Sequence, residues 1–211
     1  MTPSDNQKLF YVPNKLGKLI LTSYEDILGR ESIIAVEKMA GLDHLVGAVP
    51  PDNFEREFSL NEVAYINDAM ERMYGPLAGR GLALRAGRAF FNYSLREFGP
   101  KLGVSTLAFR LLPIGVKTRM GIAIAAKFVN RYTDEMVEII EEEDGVLWQI
   151  NHCPLCWNRQ TDIPCCQFMV GLFQEMLFWI SSGKNFLIEE RACIAIGDGH
   201  CSICIPRKPL D

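Results

Sequence analysis

With 48% hydrophobic and 23% charged residues among 211, the chain has the makeup of a globular protein with ample material for a core. Its net charge of −4 supplies no basic face and argues against nucleic acid as a partner. The opening MTPSDNQKLFYVPNK lacks the apolar run of a signal peptide, and no stretch approaches the roughly 18 apolar residues of a membrane span. A cytoplasmic location is therefore expected.

The first part of the chain reads as helical. SYEDILGRESIIAVEKMAGL (23–42) carries apolar positions at helical spacing, broken by Gly29 and closed by Gly41. VGAVPPDNFEREF (46–58) reads as a loop from its Pro-Pro pair and polar content. Ser59 with Glu62 forms a capping-box pattern before Leu60, Val63, Ile66, Ala69, Met70 and Met73, and Gly75-Pro76 ends that helix. A third helix is expected over 77–99, ending at Gly99-Pro100. A fourth covers 105–132, bent or split near Pro113 and Gly115. The glycines of GRGLALRAG read as helix-packing positions, because no strand precedes them and no acidic residue follows as a dinucleotide fingerprint requires.

After Thr133 the period changes. Two runs flank Asp144-Gly145, a strong hairpin signal, and a second hairpin turns at Gly197-Asp198-Gly199. Between them residues 164–181 return to helix, with Asp162 as the expected N-cap and Pro164 in the first turn. The expectation is a single α+β domain: a mainly helical region (1–132) packed with a four-stranded antiparallel sheet from a ββαββ region (133–211).

The helix after Pro164 is apolar nearly all round. Phe168, Met169, Leu172, Phe173, Met176 and Trp179 are either plain core or the wall of a pocket for a hydrophobic ligand. Gly171 in mid-helix lowers helix propensity by about 1 kcal/mol against Ala and suggests close approach of a backbone or ligand.

Seven cysteines (153, 156, 165, 166, 193, 201 and 204) leave three readings open: a metal site, disulfides, or inert core thiols. Cys153-x-x-Cys156 and Cys201-x-x-Cys204 mimic a zinc-ribbon spacing, but strand alternation sends Cys201 and Cys204 to opposite faces. Cys166, Glu190, Cys193 and Cys201 make a better tetrahedral set, provided that a bulge turns Glu190 and Cys193 to one side. His152 and His200 stand beside cysteines as reserve ligands, and Arg80, Arg85 and Arg88 are either exposed or aimed at a ligand carboxylate.

The run Cys166, Gly171, then Glu190-x-x-Cys193-x₇-Cys201 resembles the 4-vinyl reductase domain family over about the last 80 residues. That family includes hydrocarbon-binding proteins, proteins tied to bacteriochlorophyll synthesis and the sensor domains of phenol-responsive regulators. The resemblance implies a fold related to vesicle-tethering subunits and to the haem nitric-oxide-binding domain. It also implies zinc on Cys166, Glu190, Cys193 and Cys201 beside a ligand pocket. The extra cysteines, and one additional residue between Cys166 and Glu190, allow Cys156 or Cys165 to enter the set.

Three functions follow as alternatives. The first is a binding protein for a hydrophobic small molecule, for which the resemblance implies a tetrapyrrole such as a chlorophyll precursor or bilin, or another hydrocarbon. It would act as carrier, sensor or assembly factor for photosynthetic complexes, as a homodimer with peripheral contact to membrane protein complexes. The second is a vinyl reductase, although no nucleotide fingerprint or iron–sulfur spacing supplies its electrons and no catalytic residue is assigned. The third is a pure protein-interaction subunit.

Overall fold

Among the described residues seven α-helices and six strands follow one another: β1 (Tyr11–Pro13), α1 (Asn14–Leu28), α2 (Arg30–Met39), β2 (Arg56–Ser59), α3 (Leu60–Tyr74), α4 (Pro76–Leu102), α5 (Leu107–Arg110), α6 (Ile114–Tyr132), β3 (Val137–Glu141), β4 (Gly145–Ile150), α7 (Gln167–Ser181), β5 (Glu189–Ala192) and β6 (Cys201–Pro206). The coordinates are a computed structural model that describes residues 9–104 and 106–210. The polar residues 1–8, on which the reading of the N-terminus partly rests, lie outside them.

Local chemistry accounts for most boundaries. The Ser59 hydroxyl accepts from the Glu62 N–H at 3.2 Å while the Glu62 carboxylate receives the Ser59 N–H, so the capping box at the start of α3 is complete. Gly29, at φ 80°, breaks α1 from α2, and Pro113 separates the single turn of α5 from α6. Four local expectations are corrected. Helix α1 begins at Asn14 rather than Ser23. The end of the expected loop, Arg56 to Phe58, joins Ser59 in a strand that pairs with β1 as a two-stranded sheet, a contact too short to show alternation in sequence. Helix α4 runs through Gly99-Pro100 to Leu102, because a proline so near the C-terminus forfeits only one helical hydrogen bond before Gly103 closes the helix. Helix α7 starts at Gln167 with Cys166, not Asp162, in the N-cap position.

The α+β architecture is as expected. The four-stranded antiparallel sheet has the order β3-β4-β6-β5. Its register sets Val146 against Ile205, Trp148 against Ile203 and Ile150 against Cys201, so one face carries a continuous buried row. Cys204 pairs with Leu147 on the opposite face. Helix α7 covers the buried face, where Phe173 meets the Trp148 ring edge-on at 5.0 Å.

On its other side α7 crosses α4 at backbone contact. A Cβ at Gly171 would overlap the Leu84 carbonyl, and one at Gly87 would overlap the Phe168 carbonyl. The two glycines interlock. Gly171 is thus explained by backbone approach; of the glycines of GRGLALRAG, Gly87 and Gly79 serve packing, the latter against the α3 backbone at Glu71, whereas Gly81 faces open space.

Gly171→Ala and Gly87→Ala should each cost at least about 2 kcal/mol, because two buried helices must separate to admit the methyl group. Gly81→Ala, on the same helix α4 but facing open space, should be neutral or stabilising by up to about 1 kcal/mol. Denaturant unfolding of the three variants checks both statements.

Candidate metal centre and adjoining apolar cavity

The loop from β4 to α7 brings Cys153 and Cys156 over the end of the sheet, where Cys201 opens β6 and Cys166 caps α7. These four sulfurs lie within 4.8 Å of one another, and so do those of Cys165, Cys166 and Cys193. All seven cysteines are buried and free of disulfides. The separations are 3.5 Å for Cys153–Cys166, 3.2 Å for Cys156–Cys201 and 3.8 Å for Cys166–Cys201. A tetrahedral ion with thiolate bonds of about 2.3 Å has sulfur–sulfur edges of about 3.8 Å, so the four-sulfur group is close to the shell of a single ion. An iron–sulfur cluster would spread its cysteines wider, around inorganic sulfide.

The four ligands expected from sequence are distributed between these groups. Cys166 and Cys201 belong to the four-sulfur group, and Cys193 belongs to the three-sulfur group. Glu190 accepts the Cys166 backbone N–H at 2.8 Å through Oε2, while its Oε1 is buried without a hydrogen-bond partner among the described residues. The register of β5 shifts between Glu190 and Ala192, which supplies the irregularity needed for Glu190 and Cys193 to reach the same cluster. Cys204, on the far face, takes no part, so the paired Cys-x-x-Cys ribbon does not form. Cys153 and Cys156 were legible as a chelating pair and Cys166 and Cys201 as ligands, but the sequence did not join the two pairs into one group.

Electrostatics favour a cation here. Burial pushes the Cys153 thiol up to about 12 and the Glu190 carboxyl up to about 8, the latter with a contribution from Cys193. A positive ion removes the cost of ionising these groups. Some positive charge is already present. Buried Arg159 directs Nη1 at Cys165 Sγ (3.5 Å) and Nη2 at Glu71 Oε1 (2.8 Å), and Glu71 also holds Arg80 at 3.0 Å. Arg80 is thereby a structural partner of α3. Arg85 and Arg88 lie on the outer face of α4, with Arg88 bonded to Gln174. His152 stacks on Phe10 and places Nδ1 2.6 Å from the Asp134 carbonyl, away from a ligand role.

A cavity of about 200 Å³ lies beside the cluster, between α4, α6, α7 and the sheet. Phe168, Met169, Leu172, Phe173, Met176 and Trp179 all line it. Phe109 of α5 stacks on Trp179 at 6.0 Å and helps to close one side. Pro154 and Leu155, the two residues between Cys153 and Cys156, form part of the wall. Within this apolar lining stand three polar groups that the sequence did not single out. Trp148 Nε1 and Ser94 Oγ are buried without hydrogen-bond partners among the described residues, and Glu135 is buried. The alternation of β4 could have identified Trp148; Ser94 and Glu135 needed the assembled fold.

No protein-family model matches the sequence, and no curated protein matches it. Solved structures do match in fold. The fold is that of the H-NOX proteins. The Fe(II) unliganded H-NOX protein from K. algicida superposes with a TM-score of 0.56 at 16% identity, covering 94% of this chain and 98% of that one. The S. oneidensis H-NOX protein in its Fe(II)NO state gives 0.53 at 16% identity, covering 92% and 99%. An H-NOX structure determined to probe heme distortion gives 0.57 at 11% identity, covering 94% and 97%.

Haem itself does not fit the residues of this cavity. Haem iron takes His, Cys, Tyr or Met as axial ligand, and the lining contains no His, Cys or Tyr. Its methionines, Met169 and Met176, are packed in the wall of α7. Likeness in fold does not carry the cofactor across.

Burial raises the Glu135 carboxyl from its ordinary 4.5 to about 7, against an opposing hydrogen bond from Thr133. Across that interval the folded state binds more protons than the unfolded state, so this group's contribution to stability falls as pH rises from 4.5 to about 7 and is constant above. Glu135→Gln should remove that decline relative to wild type and raise stability at pH 8 by up to a few kcal/mol. Thermal melts of both proteins from pH 4 to pH 8 measure the difference.

Proposed function

We propose that the chain is a sensor or carrier module for a small hydrophobic molecule of one or two rings bearing a single polar group. A structural zinc on Cys153, Cys156, Cys166 and Cys201 braces one wall of its cavity. The observation that carries this reading is the placement of Pro154 and Leu155, which belong to both the cysteine loop and the cavity wall. Zinc suits a compact, redox-inert, four-thiolate shell. The size class follows from volume: an apolar cavity of about 150 Å³ accepts benzene, and drug-sized ligands need about 300 Å³ or more. The polar group follows from the Trp148 N–H and the Ser94 hydroxyl, which lack partners among the described residues. The 4-vinyl reductase resemblance supports the same pairing of zinc with a hydrophobic pocket.

A tetrapyrrole is the second reading. The observation in its favour is the thin packing of α6, which has only Ile122 and Ala126 buried along its 19 residues and could move outward to enlarge the site. Absorption spectra of the protein from its native host separate the two, since a bound tetrapyrrole absorbs strongly in the visible region and a one- or two-ring ligand does not.

Binding of naphthalene and naphthol, followed by calorimetry, tests the first reading. Both should bind, and Ala125→Trp, which fills the cavity, should abolish both. Trp148→Phe should weaken naphthol about fivefold and leave naphthalene nearly unchanged, because it deletes one hydrogen bond. Failure of wild type to bind either compound would remove the small-ligand reading.

The metal and the ligand should also be linked. Cys156→Ser should lower zinc content and melting temperature together and weaken naphthalene binding as well. Metal analysis, melting curves and calorimetry on that variant give the three readouts.

A further inference from the structure

The single-ion reading uses four of the six clustered cysteines and leaves Cys165, Cys193 and the Glu190 carboxylate in the same dry interior. Cys166 is the hub of the cluster. Its sulfur lies 3.5 Å from Cys153, 3.8 Å from Cys201 and 3.8 Å from Cys193, and it belongs to both compact groups. Cys165 and Cys193 stand 3.9 Å apart on its other side. These separations again match the edge of about 3.8 Å expected for thiolates on one tetrahedral ion. We propose that the cluster holds two divalent ions that share the Cys166 thiolate. One sits among Cys153, Cys156, Cys166 and Cys201, the second among Cys165, Cys166 and Cys193; Glu190, bonded to the Cys166 N–H but outside the three-sulfur group, would swing Oε1 inward as its fourth donor. The second ion rests on the single-zinc reading for its neighbour but, the shared Cys166 apart, on different residues for its own shell.

An independent observation points to a cation at the second position. Glu190 uses Oε2 to accept the Cys166 N–H, and Oε1 remains buried and without a partner among the described residues. A lone carboxylate oxygen in such surroundings is costly unless a positive charge meets it. Backbone groups also suit bound thiolates: the Ile194 N–H is directed at Cys201 Sγ (3.3 Å), and Cys166 stands at the N-terminus of α7, where the helix dipole is positive.

Metal content of the full chain, produced with zinc in the medium and purified without added metal or chelator, tests the proposal. Mass spectrometry should find two zinc ions per chain. Replacement by NMR-active cadmium should give two resonances that split each other through the common sulfur. Cys193→Ser should lower the count from two to one and leave a single unsplit resonance, with far-ultraviolet circular dichroism unchanged. Should that variant fail to fold, the isosteric Glu190→Gln carries the test by losing the second ion alone. One ion per chain in wild type, unaltered by Cys193→Ser, overturns the second ion while leaving the single-zinc reading intact. A metal-free wild type overturns both, and two ions retained in Glu190→Gln overturn the stated ligand set.

Discussion

The close crossing of α4 and α7 is the constraint on which the rest of the molecule depends. Gly87 and Gly171 let the two backbones touch, and that contact fixes the height of α7 above the sheet. With the helix so placed, its N-terminus delivers Cys165 and Cys166 to the sheet end, and its flank turns Met169, Phe173 and Met176 toward the cavity. A wider crossing would dislodge the sulfur cluster and the cavity together. Close-packed interiors leave no slack to absorb the change.

The cluster ties together three chain segments that are remote in sequence: the loop after β4, the start of α7, and the β5–β6 turn. Ordering those segments has a conformational cost, offset in part by burial of Leu155, Trp157 and Ala195 beside the sulfurs. An ion held by the cluster would add stabilisation coupled to folding through deprotonation of the thiols. Arg159 and Glu71 carry the same tie across to α3, so the helical region and the sheet region meet through charge as well as through the core. The cysteines and Arg159 are buried and Glu71 is half-buried, so loss of one charged member would leave another poorly compensated.

The architecture is shared with H-NOX proteins, and the lining of the cavity here is a wall of Phe, Leu, Met and Trp without a His, Cys or Tyr to ligate haem iron. Trp148 Nε1 and Ser94 Oγ, without partners among the described residues, are costly to bury unmatched, and a ligand with one polar group would satisfy them.

Much of this organisation was legible in the residues. The helical first half, the two hairpins, the Ser59–Glu62 capping box and the split at Pro113 follow from short-range rules of periodicity, capping and turn chemistry, which act within a few residues and so leave a local trace. The wall of α7 was visible for the same reason, as an apolar surface too wide for one neighbour. The pairing of Arg56–Ser59 with β1, the passage of α4 through Pro100 and the grouping of sulfurs around Cys166 were decided by tertiary structure alone. Each depends on which distant segment arrives alongside. Spacing can nominate Cys153, Cys156, Glu190 and Cys193 as ligands, but only the folded chain determines which sulfurs fall within one ion's reach, because that distance is set by the helix crossing and the strand bulge.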